Sequence, residues 1–184
     1  MRRRTWIAFS ANLFLVAAAT TWAQPPKVLE EIPGKVVSVV DGDSLTLQRA
    51  DETKLTVRLE GIDSPELKQA HGEKSKEALS ALVLSKEVTV RKTGQDKSGR
   101  ILGIVVAGGD EINLQLVESG TAWHFKKYNK DKRLAEAEER ARAAKKGLWA
   151  GEEVIAPWEY RARHKISEPG ASVPPAPPTG VRTP

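Results

Sequence analysis

Cysteine is absent from this 184-residue chain. Stability must come from packing, and disulfides, thiolate metal sites and a lipid anchor on cysteine are excluded. The absence leaves the compartment open. Histidine is scarce as well: His71, His124 and His164 have no evident partners, so a histidine-metal mechanism finds no support. His124 reads as a packing residue near an aromatic segment, and the other two read as exposed. No internal repeat is present. The one long apolar run, Trp6 to Ala19, is too short for a comfortable membrane span. It follows Arg2-Arg3-Arg4 and precedes Thr21-Trp22-Ala23, whose small residues suit a signal peptidase, so a signal peptide is expected over residues 1–23. Arg3-Arg4-Thr5-Trp6-Ile7 also resembles a twin-arginine signal. Either route exports the protein to the periplasm or beyond, with no stable membrane association once the leader is removed.

A strong positive charge is also lacking once that leader is set aside. The whole chain has 29 Lys and Arg against 24 Asp and Glu; without the first three arginines 26 face 24. Global charge is therefore a poor argument for a polyanionic partner, and any such attraction rests on local clustering. The remaining 161 residues suffice for one domain with a hydrophobic core.

What is present begins with a short linker, residues 24–33, containing three prolines. Lys35 to Val40 and Ser44 to Arg49 read as strands flanking Asp41-Gly42-Asp43, a hairpin signal. Lys54 to Glu60 alternates, with Leu55, Val57 and Leu59 on one face and Arg58 on the other, toward a cleft. Ala78, Leu79, Leu82 and Val83 recur at helical spacing within Gly72 to Ser85. Glu87 to Lys92 and Arg100 to Val106 suit two more strands joined by the turn Thr93 to Gly99. Asp110 to Ser119 suits a short helix stopped by Gly120, and Asp131 to Lys146 a longer one capped by Asp131 and stopped by Gly147. The pattern predicts a mainly β fold: a five-stranded OB-type barrel with three packed α-helices over residues 34–150. Residues 151–166 are expected to pack on it as an extension. The tail, residues 167–184, is rich in Pro, Gly, Ser and Ala and is expected to be disordered.

Three motifs carry chemistry. Asp41-Gly42-Asp43 alone reads as a tight turn, with Asp and Gly accepting left-handed backbone angles. Asp63-Ser64-Pro65-Glu66 alone reads as a helix or turn start, Arg58 as a strand-surface arginine, and Lys97-Ser98-Gly99-Arg100 as a hairpin loop. Their occurrence together, in this order, points elsewhere. Carboxylates that hold a hard cation, combined with two arginines, are the parts needed to attack a phosphodiester. Asp43 and Asp63 are the candidate carboxylate ligands, Ser64 is a candidate carbonyl ligand, and Asp41 is expected behind them, at or near one remove from the ion.

In the motifs it carries, the chain resembles the thermonuclease, or staphylococcal-nuclease-like, family. The resemblance covers about Gly34 to Trp149 and is carried by Val40-Asp41-Gly42-Asp43-Ser44, by Arg58-Leu59-Glu60-Gly61-Ile62-Asp63-Ser64-Pro65-Glu66 and by Asp96-Lys97-Ser98-Gly99-Arg100, with Gly147-Leu148-Trp149 as a closing segment. It implies an OB-fold enzyme that hydrolyses DNA and RNA, single- or double-stranded, with Ca2+ as cofactor and 3′-phosphate ends as product. Carried over by motif, Asp43, Asp63 and Ser64 hold the metal, Glu66 activates water, and Arg58 and Arg100 bind phosphate. Ser64 stands where the family commonly has threonine and preserves the carbonyl. Ser98 stands where many members have tyrosine, which implies weaker binding of a nucleotide product. The family's aromatic segment survives in part as Trp123, Phe125 and Tyr128. Trp123, Lys126, Lys127 and Tyr128 are possible substrate-binding residues, and the basic run through Lys130, Lys132 and Arg133 reads equally well as a solvated turn. Pro157-Trp158-Glu159-Tyr160-Arg161 resembles a segment often found after this domain.

A monomeric, exported, calcium-dependent nuclease with little sequence preference is the resulting expectation. Its main rival is a silent OB-fold module that binds nucleic acid or oligosaccharide at the cell envelope. A structural envelope protein using its proline-rich tail is a third reading, which leaves the acids unexplained.

Overall fold

The computed structural model describes residues 26–151 and 154–165. The expected leader, the first part of the linker and the proline-rich tail lie outside the described residues. The chain runs β1 (Glu30–Val39), β2 (Ser44–Gln48), β3 (Lys54–Leu59), β4 (Ile62–Asp63), α1 (Gly72–Val83), β5 (Glu87–Gln95), β6 (Ile101–Ala107), β7 (Asp110–Glu111), α2 (Ile112–Glu118), β8 (Trp123–His124), α3 (Lys132–Ala143), a 3-10 turn (Gly147–Ala150) and α4 (Pro157–His164). Among the described residues, no helix is long and apolar enough to cross a membrane.

Five strands close into the expected barrel. β1 pairs antiparallel with β5 through its first half and with β2 through its second, β2 pairs with β3, and β5 with β6. Parallel pairing of β3 with β6, Val57 opposite Ile101, shuts the circle. Alternation along these strands turns Val36, Leu45, Leu47, Val57, Leu59, Val90 and Val105 inward, where all are buried with Leu79 and Val83 of α1 and Leu116 and Val117 of α2. Asn113 ties α2 to the barrel: its amide donates to the Glu60 and Gly103 carbonyls and its carbonyl accepts from the Val105 N–H.

Four differences from the expected elements matter most. β1 starts at Glu30, inside the stretch read as linker. Residues 30–34 pair with β5 alone, and a strand with a partner on one side tolerates the missing N–H of Pro33. β5 continues to Gln95 by shifting register between Lys92 and Gly94, which shortens the following turn. Asp110 and Glu111 form a short strand on β6 before α2 starts. The largest difference is α4, a fourth helix where only a packing extension was expected; Pro157 opens it at a first-turn position that needs no N–H.

Candidate active site

The strand-to-loop passage after β3 builds the site. Arg58 lies at the end of β3 opposite Ser44, so the pairing of β2 with β3 sets it beside Asp43. Gly61, at φ 77°, then turns the chain into β4 and delivers Asp63. Gly42 serves differently from the sequence expectation. It does not sit at positive φ; a β-carbon there would lie 2.7 Å from the β-carbons of both Ser64 and Ser75. Its missing side chain lets the β1–β2 turn lie against the Asp63 loop.

The result is a buried network of opposite charges. Arg58 Nη1 lies 2.5 Å from Asp43 Oδ1, and its Nη2 lies 2.8 Å from Asp63 Oδ1. Asp43 Oδ2 accepts the Ser64 N–H at 2.7 Å, and Oδ1 accepts the Ser44 hydroxyl at 3.1 Å. Asp43 donates its own N–H to Asp41 Oδ1 at 3.0 Å. Asp43 and Asp63 are 2 % and 0 % exposed. Burial, aided by the neighbouring Asp43 carboxylate, pushes Asp41 up to about 6. Burial also raises Asp63, against the pull of the guanidiniums beside it. Arg58, despite the opposing effect of burial, is held above its ordinary value by Asp43 and Asp63.

Glu66 joins the network through a residue that the sequence did not nominate. Arg161 of α4 lies 2.6 Å from Asp63 Oδ2 and 3.1 Å from Asp63 Oδ1, and its Nη1 donates to Glu66 Oε1 at 2.8 Å. It is 1 % exposed and separated from Asp63 by 98 residues in sequence. The available signal was the Pro157 helix start with Trp158 and Arg161 three residues apart, on one helical face.

Arg100 is not brought into that network. It lies just before β6, whose Leu102 pairs with Arg58, and is held by Asp96. Asp96 Oδ2 accepts from Arg100 Nε at 2.7 Å, while Asp96 Oδ1 accepts the Ser98 and Arg100 N–H groups. Slight burial works against it, but these donors keep the Asp96 carboxyl below its usual range. Arg100 Nη2 is buried without a hydrogen-bond partner, a donor directed at no protein acceptor. Ser98 lies exposed in the same turn.

The aromatic segment borders the acids. Asp63 pairs with Trp123 across β4 and β8. Trp123, His124, Phe125, Lys126, Lys127 and Trp158 line a cleft of about 270 Å³. Lys126 pairs with Glu138 at 2.6 Å, Lys127 lies 4.9 Å from the Tyr128 ring centre, and Tyr128 is exposed. His124 is buried as expected, and its Nε2 lies 3.2 Å from Asn129 Oδ1.

Asp43, Asp63 and Glu66 offer the hard oxygen donors that calcium takes. Among the described residues, however, no three acidic or histidine side chains are gathered as a cation site. Arg58 and Arg161 stand between the donors. The donor chemistry fits a hard cation, and so does the charge: Asp41, Asp43, Asp63 and Glu66 against two guanidiniums leave a formal charge of −2, the complement of one divalent ion.

Similarity to known proteins extends over most of the described residues. Residues 56–151 match the family described as Staphylococcal nuclease homologue. A Haemophilus influenzae protein named as an uncharacterized endonuclease is 41% identical over 133 residues, covering 72% of this chain and 75% of that protein. An Escherichia coli protein of the same description is 40% identical over 140 residues, covering 75% and 90%. A protein of Oryza sativa subsp. japonica named as a probable staphylococcal-like nuclease is 37% identical over 133 residues, covering 72% of this chain and 34% of its own length.

Proposed function

Because the chain belongs to the staphylococcal nuclease homologue family, with relatives named as endonucleases, we propose that it is a nuclease, and that it is an exported, calcium-dependent one acting on DNA and RNA with little sequence preference. The observation that carries this reading is the convergence of Asp43, Asp63 and Glu66 around two buried guanidiniums at the mouth of an OB-type barrel.

Each side chain has a separate task. A phosphodiester is protected by its negative charge, and attack adds more, so groups that favour the added charge lower the barrier. Arg58, held beside the acids, would grip phosphate oxygens with its planar guanidinium, and Arg100 would bring an unpaired N–H from the β5–β6 turn. Glu66 is the half-open carboxylate of the set, with one oxygen on Arg161, and it takes or orients the proton of the attacking water. Asp43 and Asp63, with the Ser64 carbonyl, would hold the calcium ion, which would supply Lewis-acid stabilisation of the developing charge. Cleavage at the bond to the 5′ oxygen leaves 3′-phosphate ends. Trp123, Lys126 and Lys127, which line the cleft, and the exposed Tyr128 would border the path of the strand, where aromatic faces and lysines suit backbone and stacking contacts. The enzyme acts as a monomer in the periplasm or outside the cell, free of the membrane after loss of its leader.

One observation favours a silent binding module: both carboxylates proposed as ligands have every oxygen engaged by protein donors. Digestion of single- and double-stranded DNA and of RNA separates the two. Calcium-dependent cleavage, abolished by chelator and cut at least about 100-fold in Arg58→Ala or Glu66→Gln, is expected of the enzyme. Cleavage unchanged in chelator sinks the calcium mechanism; no cleavage by the wild type favours the module.

A further inference from the structure

Arg161 is part of the site, yet the hydrolytic reading gives it no task. Its guanidinium takes both oxygens of Asp63 and one of Glu66, and it reaches them from a helix beyond the segment matched to the family. At 1 % exposure it is closed to a substrate, so whatever it does is done through those two acids. α4 is also fastened to the loop that carries Glu66. The Gln69 amide donates to the Ile155 carbonyl at 2.8 Å, and its oxygen accepts the Glu66 N–H at 3.2 Å. The Tyr160 hydroxyl donates to the Lys68 carbonyl at 3.2 Å. Trp158, one turn before Arg161, stacks on Phe125 and meets the edge of Trp123, the strand partner of Asp63.

We propose that Arg161 is a positioning residue of the hydrolytic site: it fixes the Asp63 and Glu66 carboxylates against each other and opposes cation binding at Asp63. The proposal rests on the nuclease reading above. Two carboxylates this close repel, and a planar guanidinium is the side chain that grips both in one fixed geometry. A cation drawing on an Asp63 oxygen must share it with Arg161 or displace it. The same residue therefore aids turnover, by aiming Glu66, and weakens cation affinity, by supplying a competing charge. A residue with a merely structural role would support both together. Opposite signs are the signature.

The test uses the full chain as wild type, Arg161→Gln and Arg161→Lys, with calcium alone as the titrant. Calorimetry should find calcium bound about tenfold more tightly by Arg161→Gln, because one competing positive charge is gone. Its urea midpoint should fall in chelator, and calcium should raise that midpoint by more than it raises the wild type's. On single-stranded DNA, kcat should drop at least about tenfold while KM stays within about twofold, the pattern of a lost transition-state interaction. Arg161→Lys, which keeps the charge without the fork, should recover part of kcat. Unchanged or weaker calcium binding by a folded Arg161→Gln, or a wild-type kcat in it, overturns the proposal. If Arg161→Gln does not fold in chelator, Arg161→Lys decides: reduced kcat at an unaltered KM supports the proposal, and wild-type kcat overturns it. A wild type that cuts no DNA overturns the nuclease reading instead, and calcium affinity then judges the competition by itself.

Discussion

Asp63 and Trp123 are partners across the two-residue ladder of β4 and β8. Trp123 in turn meets Trp149 at 4.5 Å and Trp158 at 5.3 Å, edge to face, with the Arg142 guanidinium 4.7 Å from its ring centre. The acid at the centre of the site thus stands at the head of an aromatic cluster, which holds α4 against the barrel together with the hydrogen bonds of Arg161 and Tyr160.

Trp158→Ala tests this linkage. It removes the stack on Phe125 and the edge contact with Trp123, and because Trp158 is only half-buried the expected loss is about 2 kcal/mol, read by urea unfolding. Cleavage should fall as well, although Trp158 touches no acid, because Arg161 rides on the same helix.

Arg58→Ala should cost more. Asp43 and Asp63 would remain buried with a counter-charge gone, a change that costs about 3–5 kcal/mol. Arg58→Lys keeps a point charge and should retain more of the stability than of the activity, measured by urea midpoint against kcat, since one ammonium cannot bridge both carboxylates in a fork.

Gly42→Ala places a methyl group 2.7 Å from two serine β-carbons, one of them on Ser64, whose N–H binds Asp43. Overpacking of this kind costs about 1–3 kcal/mol, and the midpoint of thermal unfolding should fall accordingly. Because Gly42 is not at positive φ, the loss comes from crowding and not from backbone strain.

Acid should destabilise the fold through His124. Burial lowers its affinity for a proton below the ordinary value of 6.5, against the favourable influence of Asn129 and Glu138 and together with the Lys126 charge. As pH falls through 6.5 the unfolded chain takes up a proton that the folded chain refuses, so stability is present above that pH and is lost below it. Asp41, pushed up to about 6, acts in the opposite direction over the same range, so the comparison isolates His124: between pH 7.5 and 5.5 the wild-type urea midpoint should fall relative to that of His124→Gln.

Much of this was legible in the sequence because it is local. The alternation of Lys54 to Leu59, the helical spacing of Leu79 and Val83, and the Asp131 cap, which accepts the Arg133 N–H, each need only a few neighbouring residues to specify them. The group of Asp43, Arg58, Asp63 and Glu66 was legible for a different reason: one hairpin and one loop carry all four. Arg161 was not. Its partners are nearly a hundred residues away, and the one local signal within Pro157–His164, Trp158 and Arg161 on one helical face, does not say which acids the arginine meets. The role of Gly42 was misread for a related reason, because what crowds it comes from Ser64 and Ser75. Arg100 was legible as a turn residue, while its tether to Asp96, which keeps it out of the carboxylate network, was not.

The separation of 98 residues between Asp63 and Arg161 also has a bearing on how the chain matures. Long-range contacts form late, and synthesis proceeds from the N-terminus, so this contact must be among the last to form. While the chain is still on the ribosome, its barrel strands and acids precede the arginine that sets them in order. Completion of the Asp63–Arg161 pair is thus a step that follows synthesis of the whole barrel, and refolding of the full chain should show the barrel assembling before this pair is made.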